Sequence, residues 1–224
     1  MKAIRSLLII LVVILIADNA SAWTPPENTY KQARETNFGF GALIPADGET
    51  GWLIHGAYHW RLDNSVFHGP SLNLYNHKFT QRGEVWGQVQ PGWTQSTYTT
   101  EFESRLTLLS PQYNLGCDFD LLGVKNLTEF VKVSLGLDML WGTEKNFTAN
   151  VSNTDFYFDW CWNINSGAKL KLGDRTWLTA ELGYHRGVPS RKAKPIANLP
   201  TRTDINMSGF VMKLGINYFF WTNP

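Results

Sequence analysis

The segment spanning residues 51–62, which reads GWLIHGAYHWRL, has an apolar or small residue at every second position. A β-strand sends successive side chains to opposite faces, so this segment has one apolar face and one mostly polar, partly basic face. The apolar face carries Trp52 near one end and Trp60 near the other. At about 3.3 Å per residue and a tilt near 40°, these positions differ in height by roughly 20 Å, close to the apolar band of a transmembrane barrel. The pattern therefore predicts a strand that crosses a lipid bilayer within a barrel.

The first 22 residues have the pattern of a cleaved signal peptide. Lys2 and Arg5 give a basic start, an apolar run covers residues 7–17, and Ala20-Ser21-Ala22 forms the small-x-small pattern of a cleavage site. The apolar run is shorter than the roughly 20 residues that a spanning helix needs. We therefore expect residues 1–22 to be removed and residues 23–224 to form one exported domain.

The composition agrees with a lipid-facing β protein. Aromatic residues make up 14% of the chain, with 10 Trp, while charged residues make up only 17%. The formal net charge is +1, and the signal peptide contributes all of it, so the predicted domain after the signal is close to neutral. A neutral domain has no strong positive field that would attract nucleic acid. No apolar run after the signal is long enough for a spanning helix, which excludes a helical membrane protein.

Alternation continues along the rest of the chain and predicts an all-β fold. Because unpaired backbone groups in hydrocarbon cost several kcal/mol each, a lipid-facing sheet must close into a barrel. We expect an antiparallel up-and-down barrel of ten strands, with eight left open as the alternative. Ten strands place the tight turns Asp63-Asn64 and Gly173-Asp174 on the periplasmic side and the loops 142–154 and 187–204 outside. The predicted strands are residues 36–44, 51–62, 65–79, 84–90 (the weakest), 99–109, 112–121, 127–141, 156–172, 175–185 and 207–220.

The chain resembles the small bacterial outer-membrane β-barrel proteins. The resemblance rests on the Ala20-Ser21-Ala22 signal end, the alternating strands and the last strand, GFVMKLGINYFF at residues 209–220. Members of this family typically end on an aromatic residue that the barrel-assembly machinery reads. Phe219 and Phe220 hold that place here, and residues 221–224 follow them. The resemblance implies an outer-membrane location and outer-membrane lipid and lipopolysaccharide as surroundings.

The strand phase places most charged and histidine side chains in the lumen. There they would pair with one another and fill a narrow barrel, or line a narrow pore. The predicted lumen-lining residues are His55, His59, Glu101, Glu103, Arg105, Asp118, Asp138, Asp159, Glu181 and Lys213, together with Arg61, Asp120, Lys132, Lys169 and Lys171. The predicted interface belt consists of Trp52, Trp60, Trp141 and Trp160.

No catalytic, cofactor or metal constellation is evident. His55 and His59 share a strand face but lie roughly 13 Å apart along the strand, so they cannot share one metal ion unaided. None of the five histidines has a serine at the second following position, the pair used by lipid-modifying barrel enzymes. Cys117 is expected to face outward and Cys161 inward, which favours two unpaired cysteines over a disulfide.

These observations predict a non-enzymatic outer-membrane barrel with a structural or surface-interaction role. Its outer loops would carry any recognition. A basic cluster in the second loop, Arg186, Arg191, Lys192, Lys194 and Arg202, could contact anionic lipopolysaccharide, although an ordinary solvated loop has the same composition. Three alternatives stay open: a narrow porin or small-ligand channel, a lipid-modifying enzyme, and a soluble secreted ligand-binding β-barrel.

Overall fold

In the part of the chain that the structure describes, eight antiparallel strands form one closed barrel, in which every strand pairs with its neighbour in sequence and the last pairs with the first. The computed structural model describes residues 33–46, 50–63, 65–90, 93–124, 126–192, 197, 199 and 203–221. The predicted signal peptide lies outside these residues. The strands are β1 (Ala33–Pro45), β2 (Gly51–Arg61), β3 (Val66–Gln90), β4 (Trp93–Phe119), β5 (Leu127–Asn146), β6 (Val151–Lys171), β7 (Thr176–Gly187) and β8 (Gly209–Trp221).

The seam between β1 and β8 closes the barrel without leaving an edge. Their ladder runs from Ala33 opposite Trp221 to Pro45 opposite Gly209, so it covers the whole of both strands. Closure satisfies the backbone groups that hydrocarbon would leave unpaired. Among the described residues, no helix is long and apolar enough to cross a membrane.

The prediction of ten strands is wrong, because two pairs of predicted strands are single strands. Residues 65–79 and 84–90 both belong to β3, and residues 99–109 and 112–121 both belong to β4. Pro111 does not break β4: it pairs with Leu72 of β3, and the β4–β5 ladder simply omits positions 110 and 111. Proline cannot donate to a ladder, so a strand tolerates it where one neighbour makes no bond. The alternative of eight strands is confirmed.

Two of the hairpins are longer than expected. Residues 142–154 are not a loop, because β5 continues to Asn146 and β6 starts at Val151, which leaves a four-residue turn at 147–150. The β3–β4 hairpin is longer still. Its two strands stay paired beyond the level at which β2 pairs with β3, and this hairpin extension runs from Gln81 opposite Phe102 to Gln90 opposite Trp93. Both hairpins project from the end of the barrel opposite the chain termini, which we call the distal end.

The outer surface is apolar where the strands overlap. Large apolar side chains from every strand point outward, among them Phe38, Leu72, Leu135, Leu182 and Phe210. Such a continuous apolar surface around a closed sheet is typical of a barrel in lipid and is rare on a soluble monomer. The four tryptophans of the predicted interface belt, Trp52, Trp60, Trp141 and Trp160, also point outward.

Candidate functional site: the barrel interior

Polar and charged side chains fill the barrel near the end at which β1 begins and β8 ends, which we call the termini end. Arg61 lies between Glu35, at 3.3 Å, and Asp118, with which it forms a second ion pair. Lys169 binds the same two carboxylates, at 3.1 Å each. These four residues, the ion-pair cluster, sit near the start of β1 and the ends of β2, β4 and β6, which meet at this end because the barrel is antiparallel. Buried charges are tolerated when paired in this way.

Aromatic rings line the ion-pair cluster. The Lys169 ammonium lies 4.6 Å from the centre of the Phe67 ring and 5.3 Å from that of Phe130, and the Arg61 guanidinium lies 5.3 Å from that of Phe219. Ring faces carry partial negative charge, so they stabilise the two buried cations further. Phe67 and Phe130 are fully buried, which closes this end of the barrel around the cluster.

The middle of the barrel holds a second charged group and two histidines. Glu181 accepts from Lys132 at 2.9 Å and from Lys213 at 2.6 Å, so one carboxylate serves two ammonium groups. The two histidines have different hydrogen-bond partners. His55 Nδ1 lies 2.7 Å from Asn73 Oδ1, and His59 Nε2 lies 2.9 Å from Asn114 Nδ2. Several buried polar atoms here have no hydrogen-bond partner among the described residues: His55 Nε2, His59 Nδ1, Thr179 Oγ1 and both amide atoms of Asn165. Such atoms are usually satisfied by ordered water, so we expect this layer to be hydrated.

A hydrogen-bonded chain crosses the barrel above that layer. Cys161 Sγ lies 3.5 Å from Gln112 Nε2, and Gln112 Oε1 accepts from Asn163 Nδ2 at 2.7 Å. Asn163 Oδ1 lies 2.6 Å from His185 Nδ1, and His185 Nε2 lies 2.9 Å from Asp138 Oδ2. All five side chains of this group, which we call the Asp138 network, are buried.

An apolar plug fills the distal end of the barrel. It comprises Leu43, Leu53, Tyr75, Leu106, Leu108, Leu140, Tyr157, Ile205, Met207 and Val211. Ile205 and Met207 precede β8 and continue its inward phase, held in place by backbone bonds from Ile205 to Pro189 and from Met207 to Gly187. The interior therefore changes from ionic to polar to apolar along the barrel axis.

The structure brings together most of the predicted lumen-lining residues. His55, His59, Asp118, Asp138, Glu181 and Lys213 are buried inside, as are Arg61, Lys132 and Lys169, and Asp159 is half-buried. Asp120 and Lys171 are exposed at the termini end. Asn73, Asn114, Asn163 and Gln112 were not singled out from the sequence, although they occupy inward positions of predicted strands.

The prediction was wrong for the first half of β4. Glu101 and Arg105 are exposed, while Leu106 and Leu108 face inward. This part of β4 lines the apolar plug. The assumption that charged side chains point into the lumen is therefore wrong there. Glu103 is half-buried and pairs with Lys78 at 2.9 Å, just before the hairpin extension begins. The hydrogen bond from Lys78 holds the pKa of Glu103 below its usual value.

The two cysteines are free and lie on opposite sides of the wall. Cys161 is buried inside, and Cys117 is half-buried on the outward side. Cys161, His185 and Asp138 have the residue types of a nucleophilic triad. Their geometry does not fit one, because both ring nitrogens of His185 already face Asn163 and Asp138 and neither is free to accept the thiol proton.

Two residues of the predicted basic cluster, Arg186 and Arg191, are bonded within the protein. Arg186 donates to Ser208 at 2.7 Å. Arg191 pairs with Asp155 at 2.7 Å and lies over the Tyr157 ring. Lys192 is exposed, and Lys194 and Arg202 lie outside the described residues.

The fold is that of bacterial outer-membrane barrels. No protein-family model and no curated protein sequence matches the chain. The structure of OprG from Pseudomonas aeruginosa is 11% identical and has a TM-score of 0.58 over 86% of this chain and 98% of that chain. A major outer membrane protein from Thermus thermophilus is 11% identical, with a TM-score of 0.50 over 84% of this chain and 99% of that chain. The predicted resemblance is confirmed for the fold, and the predicted outer-membrane localisation agrees with it.

Proposed function

We propose that this protein is a non-enzymatic, non-conducting outer-membrane barrel with a structural or surface-interaction role. The observation that supports a closed barrel is the closure of its interior at both ends, by the ion-pair cluster at one end and the apolar plug at the other. An ion crossing it would have to separate buried charge pairs and then pass a layer of leucine side chains. Each step is costly, because unpaired charges in a low-dielectric interior lose their compensation.

The distal hairpins are the parts best suited to recognition. Exposed segments that a rigid barrel positions can contact partners without disturbing the barrel. The β3–β4 and β5–β6 hairpins and the described residues between β7 and β8 would then face the cell exterior, in contact with lipopolysaccharide. Because Arg186 and Arg191 are bonded within the protein, we do not assign them to lipopolysaccharide binding. The aromatic end of β8, Phe219 and Phe220, would present the signal for barrel assembly.

A narrow channel is the second candidate, and the middle layer favours it. Its unpartnered histidine and asparagine atoms suit a hydrated pocket. That pocket would conduct only if both the ion-pair cluster and the apolar plug opened. We therefore rank a channel below a closed barrel.

Surface labelling tests the proposed orientation. Thr148→Cys places a thiol in the exposed 147–150 turn, and Asp174→Cys places one in the exposed turn between β6 and β7. A membrane-impermeant maleimide should label Thr148→Cys in intact cells, and should label Asp174→Cys only after the outer membrane is permeabilised. The wild-type chain, with Cys117 and Cys161, gives the background. The reverse pattern would contradict the proposed exposure of the distal hairpins.

A further inference from the structure

The contact between His185 Nε2 and Asp138 Oδ2 requires a proton or a metal cation between the two atoms. The amide of Asn163 donates to Gln112, which leaves its Oδ1 to accept from His185 Nδ1. A neutral imidazole with its proton on Nδ1 directs the lone pair of Nε2 at Asp138 Oδ2, 2.9 Å away. Two acceptors at this distance repel each other unless a proton or a metal cation lies between them.

Two further features favour a metal cation. Cys161 Sγ completes the group, since the ligand atoms of Asp138, Cys161 and His185 all lie within 4.8 Å of one another. Asp138 is completely buried, and its second oxygen, Oδ1, has no hydrogen-bond partner among the described residues. No lysine or arginine bonds Asp138 in the described part of the chain, whereas the buried carboxylates of Glu35, Asp118 and Glu181 all have cationic partners.

The carboxylate of Asp138 lies against the backbone at Gly187. A Cβ built on Gly187 would lie 1.9 Å from Asp138 Oδ2 and 3.0 Å from His185 Nε2. Any side chain at position 187 would therefore displace the carboxylate from its place beside the imidazole. Glycine at the end of β7 lets these two ligand groups approach each other there.

We propose that Asp138, Cys161 and His185 form a binding site for a zinc-type divalent transition-metal ion inside the barrel. A thiolate and an imidazole select borderline-soft ions over Mg²⁺ and Ca²⁺, which prefer oxygen ligands. Tetrahedral zinc places its nitrogen, oxygen and sulfur ligands roughly 3.4–3.6 Å apart, so the three groups need only small movements. A thiolate, a carboxylate and a divalent ion together are neutral, which suits a buried site.

The ion would join three neighbouring strands just below the apolar plug. Asp138 lies on β5, Cys161 on β6 and His185 on β7, so one ion would link residues that are 23 and 24 positions apart in sequence. Asn163 would act as a positioning residue, because its bond to Nδ1 fixes the ring so that Nε2 faces the ion. The expected role is structural, as a clip between strands.

Cobalt titration tests the site. A chain of residues 23–224, refolded in detergent micelles, is titrated with Co²⁺, and absorption is followed in the near ultraviolet and visible range. We expect a thiolate-to-cobalt charge-transfer band that saturates at one equivalent and disappears when Zn²⁺ is added. Cys161→Ser should abolish the band, and Asn163→Ala should weaken Co²⁺ binding by about 10–100-fold.

Matched variants show whether the band comes from this site. Cys117→Ser removes the cysteine on the outer face and should leave the band unchanged. Gly187→Ala keeps all three ligand residues but pushes the Asp138 carboxylate out of position, so it should prevent binding. Heat-modifiable migration on a gel confirms that each variant is folded. Mass spectrometry of the wild-type protein measures its metal content, which tests the site without any substitution. A folded wild-type chain without the band, or a band that persists in Cys161→Ser, would overturn the proposal and leave Asp138 and His185 as a buried ion pair.

Discussion

Replacing Arg61 by alanine should lower the free energy of unfolding by about 3–5 kcal/mol, because it leaves two buried carboxylates with one cation. Arg61 pairs with both Glu35 and Asp118, and Lys169 alone would have to compensate them. The loss should appear as a lower urea midpoint for unfolding in lipid vesicles, followed by tryptophan fluorescence. The slope with urea should stay the same if the folded barrel is otherwise intact.

Two further substitutions show whether charge is the cause. Arg61→Met keeps the apolar stem beside Phe67 and Phe219 but removes the charge, so it should destabilise nearly as much as Arg61→Ala. Lys78→Ala breaks the half-exposed pair with Glu103 and should cost no more than about 1 kcal/mol. Equal small losses for Arg61→Ala and Lys78→Ala would show that the ion-pair cluster does not hold the termini end together.

Replacing Leu135 by arginine should lower the free energy of unfolding in a bilayer by about 2–4 kcal/mol. Leu135 is 65% exposed near the middle of β5, with its side chain on the apolar outer surface. A charge there would have to enter hydrocarbon. On a soluble barrel the same exposed position would tolerate arginine within about 0.5 kcal/mol. The measurement is again urea unfolding in lipid vesicles.

Leu121→Arg is the matched control for this experiment. Leu121 is 70% exposed and lies between β4 and β5 at the termini end, where the membrane surface should be. Its replacement should cost about 0–1 kcal/mol. If both arginine variants are equally harmless in vesicles, the outer surface does not face lipid and the alternative of a soluble ligand-binding barrel regains support.

The sequence predicts the class of fold well because alternation reports directly on a sheet with two different faces. It predicts the strand count less well because Pro111 and the polar stretch near Gln81 look like ends of strands. Whether a proline ends a strand depends on which neighbours bond it, and that is a property of the assembled sheet.

The error in strand count also caused the error in phase. One uninterrupted strand keeps a single phase, so the outward positions of Tyr113 and Leu115 require Arg105 to face outward too. Dividing β4 at Pro111 allowed its first half to be assigned independently. The charged residues were then placed inside, although the distal interior is apolar.

The interior contacts could be predicted only in part. Phase places Asp118, Asp138 and Glu181 in the lumen, but their partners are set by the register between strands distant in sequence. Glu35 was missed because the first strand was expected to begin at residue 36. The Asp138 network needed the alignment of β5, β6 and β7, which no local pattern contains.

Planar-bilayer recording tests the closed, filled barrel most directly. The purified chain is reconstituted, and its insertion is verified by flotation with lipid and by heat-modifiable migration. We predict no stepwise ion conductance above the bare bilayer, because the ion-pair cluster and the apolar plug close the two ends of the barrel. Reproducible single-channel steps from the folded wild-type protein would contradict a filled interior and support the narrow channel instead.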